Sequence, residues 1–453
     1  PRFLSLLERF PQPEAVAEPE AIVPDAENHR ITDLRLGEGG LKAKYKANVE
    51  AIRLLKTLES AGRQADPEVQ EILSRYVGWG TLANAFDEHQ PQWEREYQEL
   101  KELLTPEEYT AARSSTLNAH YTSPVVIQAM YEGIQRLGFE SGNILEPAMG
   151  GGNFFGLMPD SMASSRLYGV ELDCLTGRIA QQLYPKADIA IAGFETTDRR
   201  DFFDLAIGNV PFGNYKVPDR AYDKLGFNIH DYFFAKALDQ VRPGGVIAFI
   251  TSHFTLDKQS PEVRRYIARR ADLLGAIRLP NNAFKANAGT EVTSDILFLQ
   301  KREEPLALEP DWVHLGQTED GIPINSYYLD NPHMVLGKME MISGLYGKEA
   351  ACAPIAGSDL AQQLTAAIQH IQGQYQKEME AAVGEGQPFE DSLPASPDVK
   401  NYSYTLVDGE VYYRENTRMV RSSLSDTAKE RIRGMVALRN CVHRLIDQQL
   451  DEN

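Results

Sequence analysis

The sequence EPAMGGGNFF, residues 146–155, lies where an apolar strand pattern ends and a helical pattern begins. Gly150 and Gly152 let the backbone approach a ligand closely. The next apolar run, RLYGVEL, brings Glu171 to the end of a second predicted strand. An acidic residue about 20 positions after such a glycine turn meets ribose hydroxyls in nucleotide-binding folds. The combination favours a nucleoside-containing cofactor over a plain strand-to-helix turn.

Seven short runs rich in β-branched residues predict the strands of an α/β fold. They are NILEP (143–147), RLYGVEL (166–172), DIAIAGF (188–194), FDLAIGN (203–209), GVIAFITS (245–252), LLGAIRLP (273–280) and VTSDILFLQK (292–301). Helix-length stretches separate the first six runs, so their connections are crossovers and the sheet is mostly parallel. Only the short link NNAFKANAGTE joins the last two, which predicts antiparallel pairing and a reversed edge strand.

The segment IGNVPFG, residues 207–213, ends the fourth predicted strand. Asn209 can present a side-chain amide oxygen to a ligand. Val210 can present its main-chain carbonyl, and Phe212 can present the face of its ring. Pro211 stiffens the turn and fixes the direction of the carbonyl before it. All three groups suit one planar ligand, although a plain proline turn with a packed Phe212 explains the residues equally well.

Taken together, these segments resemble the N6-adenine DNA methyltransferases, which use S-adenosylmethionine. The stretch 146–155 is similar to their cofactor motif, and 209–212 is similar to their catalytic Asn-Pro-Pro-Phe/Tyr motif. HYTSP, residues 120–124, resembles the Tyr-Thr-Pro segment that enzymes of the γ order place before the cofactor motif. The resemblance spans residues 118–301, with the motifs in the expected order.

The resemblance implies a Rossmann-like methyltransferase with a mostly parallel seven-stranded sheet, flanked by helical N- and C-terminal regions. It implies S-adenosylmethionine as the cofactor and no metal. The catalytic residues that it implies are Asn209, Val210, Pro211 and Phe212. The cofactor-binding residues that it implies are Tyr121, Thr122, Glu146, Pro147, Ala148, Gly150, Gly152, Phe154, Glu171, Leu172, Phe194 and Asn209.

Two positions depart from the family pattern. Val210 replaces the first proline of the catalytic motif, but the family uses that residue through its carbonyl oxygen, which valine retains. Gly193 stands where relatives often carry an aspartate that accepts a hydrogen bond from the cofactor adenine amine. Phe194 remains to stack on the adenine ring, and Glu195 is the candidate replacement for the missing acid.

The resemblance implies transfer of a methyl group to the N6 amine of adenine in DNA, with the target base flipped out of the duplex. Protein-glutamine and RNA amino-methyltransferases use similar turns, and a catalytically silent cofactor- or DNA-binding module is a third interpretation. In the loop after the turn, Tyr215, Lys216, Tyr222, Lys224 and Phe227 are predicted to wall the pocket, contact phosphates or be ordinary loop residues.

More closely, the segments after the catalytic turn resemble the methyltransferase region of large proteins from conjugative and phage-like mobile elements, where a helicase usually follows. No GxxxxGK[ST] motif occurs in the sequence, so a helicase is expected to lie outside this chain. The net charge of −19 argues against a protein that simply coats nucleic acid. Three widely spaced cysteines suit a reducing cytoplasm, and no apolar run is long enough to span a bilayer.

The predicted organisation follows composition and pattern. It consists of a mobile acidic arm (1–39), a helical region (40–117), the methyltransferase domain (118–302), an accessory region (303–373), an acidic linker (374–400) and a hairpin plus C-terminal helix (401–453). The apolar stripe Ile432, Met435, Leu438, Val442, Leu445 and Ile446 predicts an amphipathic helix. We expect it to pack against the stripe of the helix at 41–61, leaving a monomer.

Overall fold

The computed structural model describes residues 26–35, 37–116, 121–285, 291–344, 347–377, 392–396, 399, 403–415, 418–422 and 424–451. Much of the predicted acidic arm (1–39) and of the predicted acidic linker (374–400) therefore lies outside the described residues. His120 of the segment HYTSP also lies outside them.

A seven-stranded sheet forms the centre of the protein. Its strands are β1 (Asn143–Glu146), β2 (Arg166–Glu171), β3 (Asp188–Ile191), β4 (Phe203–Asn209), β5 (Val241–Ser252), β6 (Ala271–Leu279) and β7 (Ser294–Lys301). The strand order is β3-β2-β1-β4-β5-β7-β6, and β7 pairs antiparallel with both β5 and β6. The seven predicted strands and the reversed seventh strand are confirmed. Because β7 is inserted between β5 and β6, β6 forms the edge of the sheet.

The order of the strands reverses between β1 and β4, which are direct neighbours. In open parallel sheets, a crevice forms outside the carboxyl ends of the strands at such a reversal. EPAMGGGNFF follows β1, and Asn209 ends β4. The topology therefore brings the two predicted motifs to the same crevice.

The described helices occur before, between and after the strands of this sheet in the chain. They are α1 (Leu41–Ser60), α2 (Pro67–Leu73), α3 (Glu94–Leu103), α4 (Pro106–Ser115), α5 (Pro124–Arg136), α6 (Asn153–Gly156), α7 (Cys174–Leu183), α8 (Ile229–Gln240), α9 (Phe254–Asp257), α10 (Glu262–Arg270), α11 (Ser326–Asp330), α12 (Leu360–Ile368) and α13 (Asp426–Asp451). None of these helices is long and apolar enough to cross a membrane.

The N-terminal helices pack directly on the sheet domain. The apolar stripe of α1 is buried against α2 and α7. Glu108 in α4 pairs with Lys56 of α1 and with Arg178 of α7, each at 2.6 Å. Thr105 and Glu108 form a capping box that starts α4. One continuous apolar core runs from Tyr45 to Tyr375, so the boundaries proposed from sequence do not separate independent cores in this part of the chain.

The accessory region adds short strands and a helix beside the sheet. It contains β8 (Leu315–Gln317), β9 (Pro323–Asn325), β10 (Gly337–Gly344), β11 (Gly347–Pro354) and α12. Helix α12 packs against α5, and Arg136 at the end of α5 donates to the Gln369 carbonyl at 2.9 Å. The accessory region is therefore joined to the seven-stranded sheet domain through α5.

The C-terminal strands form a four-stranded antiparallel sheet. They are β12 (Ser392–Pro394), β13 (Tyr404–Val407), β14 (Glu410–Glu415) and β15 (Arg418–Arg421). Val407 pairs with Glu410, and Asp408 and Gly409 both have positive φ, 51° and 82°. Two positive φ values define the type I′ turn of a two-residue hairpin. The predicted hairpin is confirmed.

The prediction that the C-terminal helix packs on α1 is wrong. Helix α13 packs against β13 and β14, with Arg439 donating to the Tyr404 carbonyl at 3.2 Å. The side chains of Met435 and Leu438 are 70% and 67% exposed, and those of Leu445 and Ile446 lie outside the described residues. An apolar stripe predicts that a helix has a face to bury, but not which surface covers it. The monomeric state stays a prediction.

Candidate cofactor and catalytic site

A cavity of about 490 Å³ lies at the carboxyl ends of β1 to β4. The cavity is lined by the glycine turn after β1, the ends of β2 and β3 and the turn after β4. The predicted residues that line it are Tyr121, Thr122, Glu146, Pro147, Ala148, Gly150, Phe154, Glu171, Leu172, Phe194, Asn209 and Pro211. The two predicted motifs therefore share one cavity.

Gly152, Val210 and Phe212 are not part of the cavity lining. A Cβ atom on Gly152, where φ is +82°, would lie 2.3 Å from the buried ring of Tyr184. Gly152 thus serves close packing beneath the turn, and its position does not support the predicted cofactor contact. Val210 is buried, and its N–H donates to the Ile250 carbonyl at 3.1 Å. That bond anchors the turn at residues 209–212, the predicted catalytic turn, to β5.

Glu171 joins the glycine turn to the end of β2. Its Oε2 accepts from the Gly150 N–H at 2.7 Å, and its Oε1 accepts from the Asp173 N–H at 2.8 Å. Gly150 has a φ of +54°, which glycine adopts without a steric penalty. The carboxylate therefore shapes the turn as well as facing the cavity.

Two carboxyl groups face the same enclosed space. Burial raises the pKa of Glu146 well above its usual range, and the neighbouring Glu171 raises it further. Burial also raises the pKa of Glu171, to about 7, against the opposing effect of its main-chain hydrogen bonds. Desolvation penalises the ionised form of an acid, so both groups favour a ligand that supplies donors or positive charge.

Glu146 provides the test of whether S-adenosylmethionine fits. Its side chain is buried, and its Oε2 has no hydrogen-bond partner among the described residues. A buried polar atom without a partner costs about 1–3 kcal/mol. S-adenosylmethionine carries an ammonium group, two ribose hydroxyls and an adenine amine, all of which are donors. The cavity and its acceptors fit this cofactor.

Asn209 enters the cavity from the end of β4. Its Nδ2 donates to the Thr122 hydroxyl at 3.1 Å. Because this bond engages the nitrogen, it fixes the orientation of the amide and makes Oδ1 the opposite, acceptor end. The bond also joins the catalytic turn to the Tyr-Thr-Pro-like segment, which lies 87 positions earlier in the chain.

The end of β3 supplies an aromatic ring and a carboxylate. The Phe194 ring stacks on Phe233 with centroids 4.9 Å apart, and both residues line the cavity. A Cβ atom on Gly193 would lie only 2.0 Å from Glu195 Oε1. The carboxylate of Glu195 therefore fills the space that a side chain at position 193 would occupy.

Two further segments line the cavity. Ala111, Ser114 and Ser115 come from α4, and no local sequence signal places them there. Tyr215 and Lys216 come from the loop after the catalytic turn, which was one of the predicted roles of that loop. Tyr222 of the same loop is buried instead, and its hydroxyl donates to Asp239 at 2.6 Å.

The strand order, the reversed β7 and the glycine turn after β1 define the class I fold of S-adenosylmethionine-dependent methyltransferases. This confirms the predicted fold class, and S-adenosylmethionine is the cofactor that the fold implies.

Comparison with curated proteins finds relatives that match part of the chain. Defense against restriction protein B of Escherichia phage P1 is 28% identical over 285 residues, which cover 61% of this chain and 11% of that protein. Type II methyltransferase M.CvrRI of Paramecium bursaria Chlorella virus XZ-6E is 39% identical over 74 residues, 16% of this chain and 19% of that protein. The chain thus spans less than a fifth of the length of either relative. No family model matches the chain.

Among solved structures, the M protein of the type I restriction enzyme EcoKI superposes with a TM-score of 0.32 and 16% identity, covering 59% of this chain and 64% of that protein. A Listeria monocytogenes protein assigned to the class I S-adenosylmethionine-dependent methyltransferases gives a TM-score of 0.37 at 16% identity, covering 60% of this chain and 90% of that one. The order and direction of the strands define the fold independently of these superpositions.

Proposed function

We propose that the protein transfers a methyl group from S-adenosylmethionine to the exocyclic N6 amine of adenine in DNA. The observation that carries the proposal is the position of Asn209, which opens into the same cavity as Glu171 and Phe194. An acceptor for the cofactor and the amide of Asn209 therefore meet in one cavity, and the Val210 carbonyl follows Asn209 in the same turn. One of the two relatives is named a type II methyltransferase, which supports methyl transfer as the reaction.

The chemistry of the amine explains why such a turn is needed. The lone pair of an exocyclic adenine nitrogen is delocalised into the ring, so the nitrogen is a poor nucleophile. S-adenosylmethionine supplies an electrophilic methyl group on a sulfonium. Asn209 Oδ1 and the Val210 carbonyl accept the two N–H hydrogens and favour a pyramidal nitrogen whose lone pair points at the methyl group.

In this proposal, each residue around the cavity binds a different group of the cofactor. Glu171 accepts from the ribose hydroxyls, and Glu146 accepts from a further donor of the cofactor. Phe194 stacks on the adenine ring, and the Glu195 carboxylate accepts from the adenine amine in place of the aspartate that relatives carry. Fixed acceptors at these points would position the cofactor so that its methyl group faces the target amine held by Asn209.

The ring of the target base lies beside Phe212 in this proposal, while its amine reaches Asn209 in the cavity. Phe212 is half-buried beside the catalytic turn, and we assign it to stacking on the target adenine. A base inside a duplex cannot reach this depth, so it must be flipped out. DNA is the proposed partner.

Cys174, Cys352 and Cys441 are all free, consistent with action in the reducing cytoplasm.

The raised pKa of Glu171, about 7, makes cofactor binding pH-dependent. The ionised carboxylate is the form that accepts from both main-chain N–H groups and from ribose, so binding below pH 7 requires loss of a proton. We expect affinity to rise by up to about tenfold per pH unit up to pH 7 and then to level off. Isothermal titration calorimetry across this range measures the effect.

The matched variant for this prediction is Glu171→Gln. It should bind S-adenosylmethionine about 1.5–3 kcal/mol more weakly, because a hydrogen bond to a charged group is lost. It should also lack the part of the pH dependence that belongs to Glu171. If cofactor affinity depends on pH identically in the two proteins, Glu171 does not bind the ribose.

The position of Glu195 predicts how the protein selects the nucleobase of its cofactor. An adenine amine donates to the carboxylate, whereas the oxygen of inosine at the same place repels it. Wild-type protein is expected to bind S-adenosylhomocysteine at least about tenfold more tightly than S-inosylhomocysteine, the cost of one unfavourable polar contact. Glu195→Ala should abolish this preference while Glu171→Gln keeps it. A preference unchanged in Glu195→Ala would show that another group reads the amine.

The acceptor is tested by supplying methyl-labelled S-adenosylmethionine with duplex DNA, single-stranded DNA, RNA or a protein mixture. The proposal expects label in DNA. Label in RNA or on glutamine side chains would assign the same chemistry to another planar nitrogen. No label in any acceptor, with cofactor bound, would indicate a catalytically silent module.

A further inference from the structure

The segment after the catalytic turn, residues 214–226, forms part of the cavity rim and is here named the rim loop. It leaves the catalytic turn and returns to the start of α8. The Ile229 N–H donates to the Tyr215 carbonyl at 2.8 Å and closes the base of the loop. Anything held by the rim loop therefore lies next to the catalytic turn.

The inner side of the rim loop is fixed to α8 by a buried polar clasp. Asp219 Oδ2 accepts from Lys236 Nζ and from the Tyr232 hydroxyl, each at 2.8 Å. Lys236 is only 4% exposed and also donates to the Glu195 carbonyl at 2.8 Å. The clasp thus ties the loop to the segment that faces the cofactor adenine. It holds the backbone of the rim loop in one position.

The rim loop carries three exposed cations. Lys216, Arg220 and Lys224 are exposed, and none of them forms an ion pair with a residue in the described part of the chain. The negative charge of Asp219 is compensated by Lys236, and Asp223 accepts from the Asp219 N–H within the loop. The loop therefore presents three exposed cations and one exposed acid, Asp223, in a protein whose net charge is −19, and Lys216 lines the cavity itself.

We propose that the rim loop is a phosphate clamp, in which Lys216, Arg220 and Lys224 bind the DNA backbone next to the flipped adenine. The inference rests on the proposed function and adds the site that holds the strand. Flipping a base swings its own phosphates toward the protein, so cations are needed beside the catalytic turn. An acidic protein gains affinity for DNA only where its cations are gathered.

The salt dependence of DNA binding measures phosphate contacts directly. Each contact to duplex DNA contributes about 0.9 to the slope of log affinity against log salt concentration. The variant Lys216→Gln/Arg220→Gln/Lys224→Gln should therefore lower the slope by roughly 2.7 and weaken binding at least about tenfold at low salt. Fluorescence anisotropy with an adenine-containing duplex and saturating S-adenosylhomocysteine gives both values.

A charge-matched control removes three cations near the amino ends of the parallel strands, as Arg166→Gln/Lys186→Gln/Arg302→Gln. Arg166 begins β2, Lys186 precedes β3, and Arg302 follows the end of the reversed β7. This control should keep the wild-type slope, because those residues lie away from the carboxyl ends of the strands. Equal loss in both triple variants would mean a general charge effect and would overturn the clamp.

Failure of the clamp differs from failure of the proposed function. Wild-type protein that methylates adenine in DNA, with an unchanged slope in the rim-loop variant, refutes the clamp alone. A slope that falls in that variant, without any methyl transfer by wild-type protein, supports the clamp and refutes the enzymatic function. Wild-type protein that does not bind DNA refutes the clamp. Because all three side chains are exposed, their substitution leaves the core intact.

Discussion

Asn209→Ala is expected to lower the rate of methyl transfer by at least about 100-fold while cofactor affinity stays within a few fold of wild type. Oriented acceptors or donors at the reacting group act mainly on the transition state, and removing one typically costs this much. Single-turnover transfer from S-adenosylmethionine measures the rate, and calorimetry measures the affinity.

Thr122→Val is the companion variant for this prediction. The Thr122 hydroxyl accepts from Asn209 Nδ2 at 3.1 Å, so its removal weakens the control of the amide orientation without removing the Oδ1 acceptor. We expect a smaller loss, of about tenfold. Near-normal methyl transfer by Asn209→Ala would contradict the assignment of Asn209 to the target amine, whatever the result for Thr122→Val.

Gly152→Ala is expected to lower the free energy of unfolding more than any other substitution proposed for this protein. The alanine Cβ would lie 2.3 Å from the Tyr184 ring, which is buried and packed at 5.8 Å against Phe155. Backbone strain at positive φ costs roughly 1–2 kcal/mol, and forced repacking adds about 1–3 kcal/mol. The free energy of unfolding should fall by roughly 2–5 kcal/mol, measured by denaturant unfolding without cofactor.

Gly138→Ala separates the two contributions. Gly138 has a similar φ, +87°, but nothing lies within 4 Å of its added Cβ. This variant should lose only the roughly 1–2 kcal/mol that belongs to backbone strain. If both variants are destabilised equally, contact with Tyr184 is not what requires glycine at position 152.

The strands of the sheet were predictable from sequence because each is a short β-branched run bounded by turns. The short link before the seventh run also predicted its reversed direction, but the insertion of β7 between β5 and β6 was not visible. Pairing partners depend on long-range packing, which a local pattern does not carry. The motifs at Glu171 and Asn209 were predictable because each follows a strand at its carboxyl end.

Other parts of the site required the structure. Helix α4 reaches the cavity because Glu108 is held by Lys56 and Arg178, a set of contacts spread over more than 100 positions. The Glu195 carboxylate folds back over Gly193, which only coordinates reveal. The partner of α13 was predicted wrongly because two amphipathic helices can match in pattern without meeting.

The most direct test of the proposed function is to identify the methylated nucleoside itself. Duplex DNA is incubated with S-adenosylmethionine and either wild-type protein or Asn209→Ala, then digested to nucleosides and analysed by mass spectrometry. N6-methyladenine with wild-type protein, and at least about 100-fold less with the variant, is the predicted result. A methylated base other than adenine, or equal N6-methyladenine with both proteins, would contradict the proposed reaction at this site.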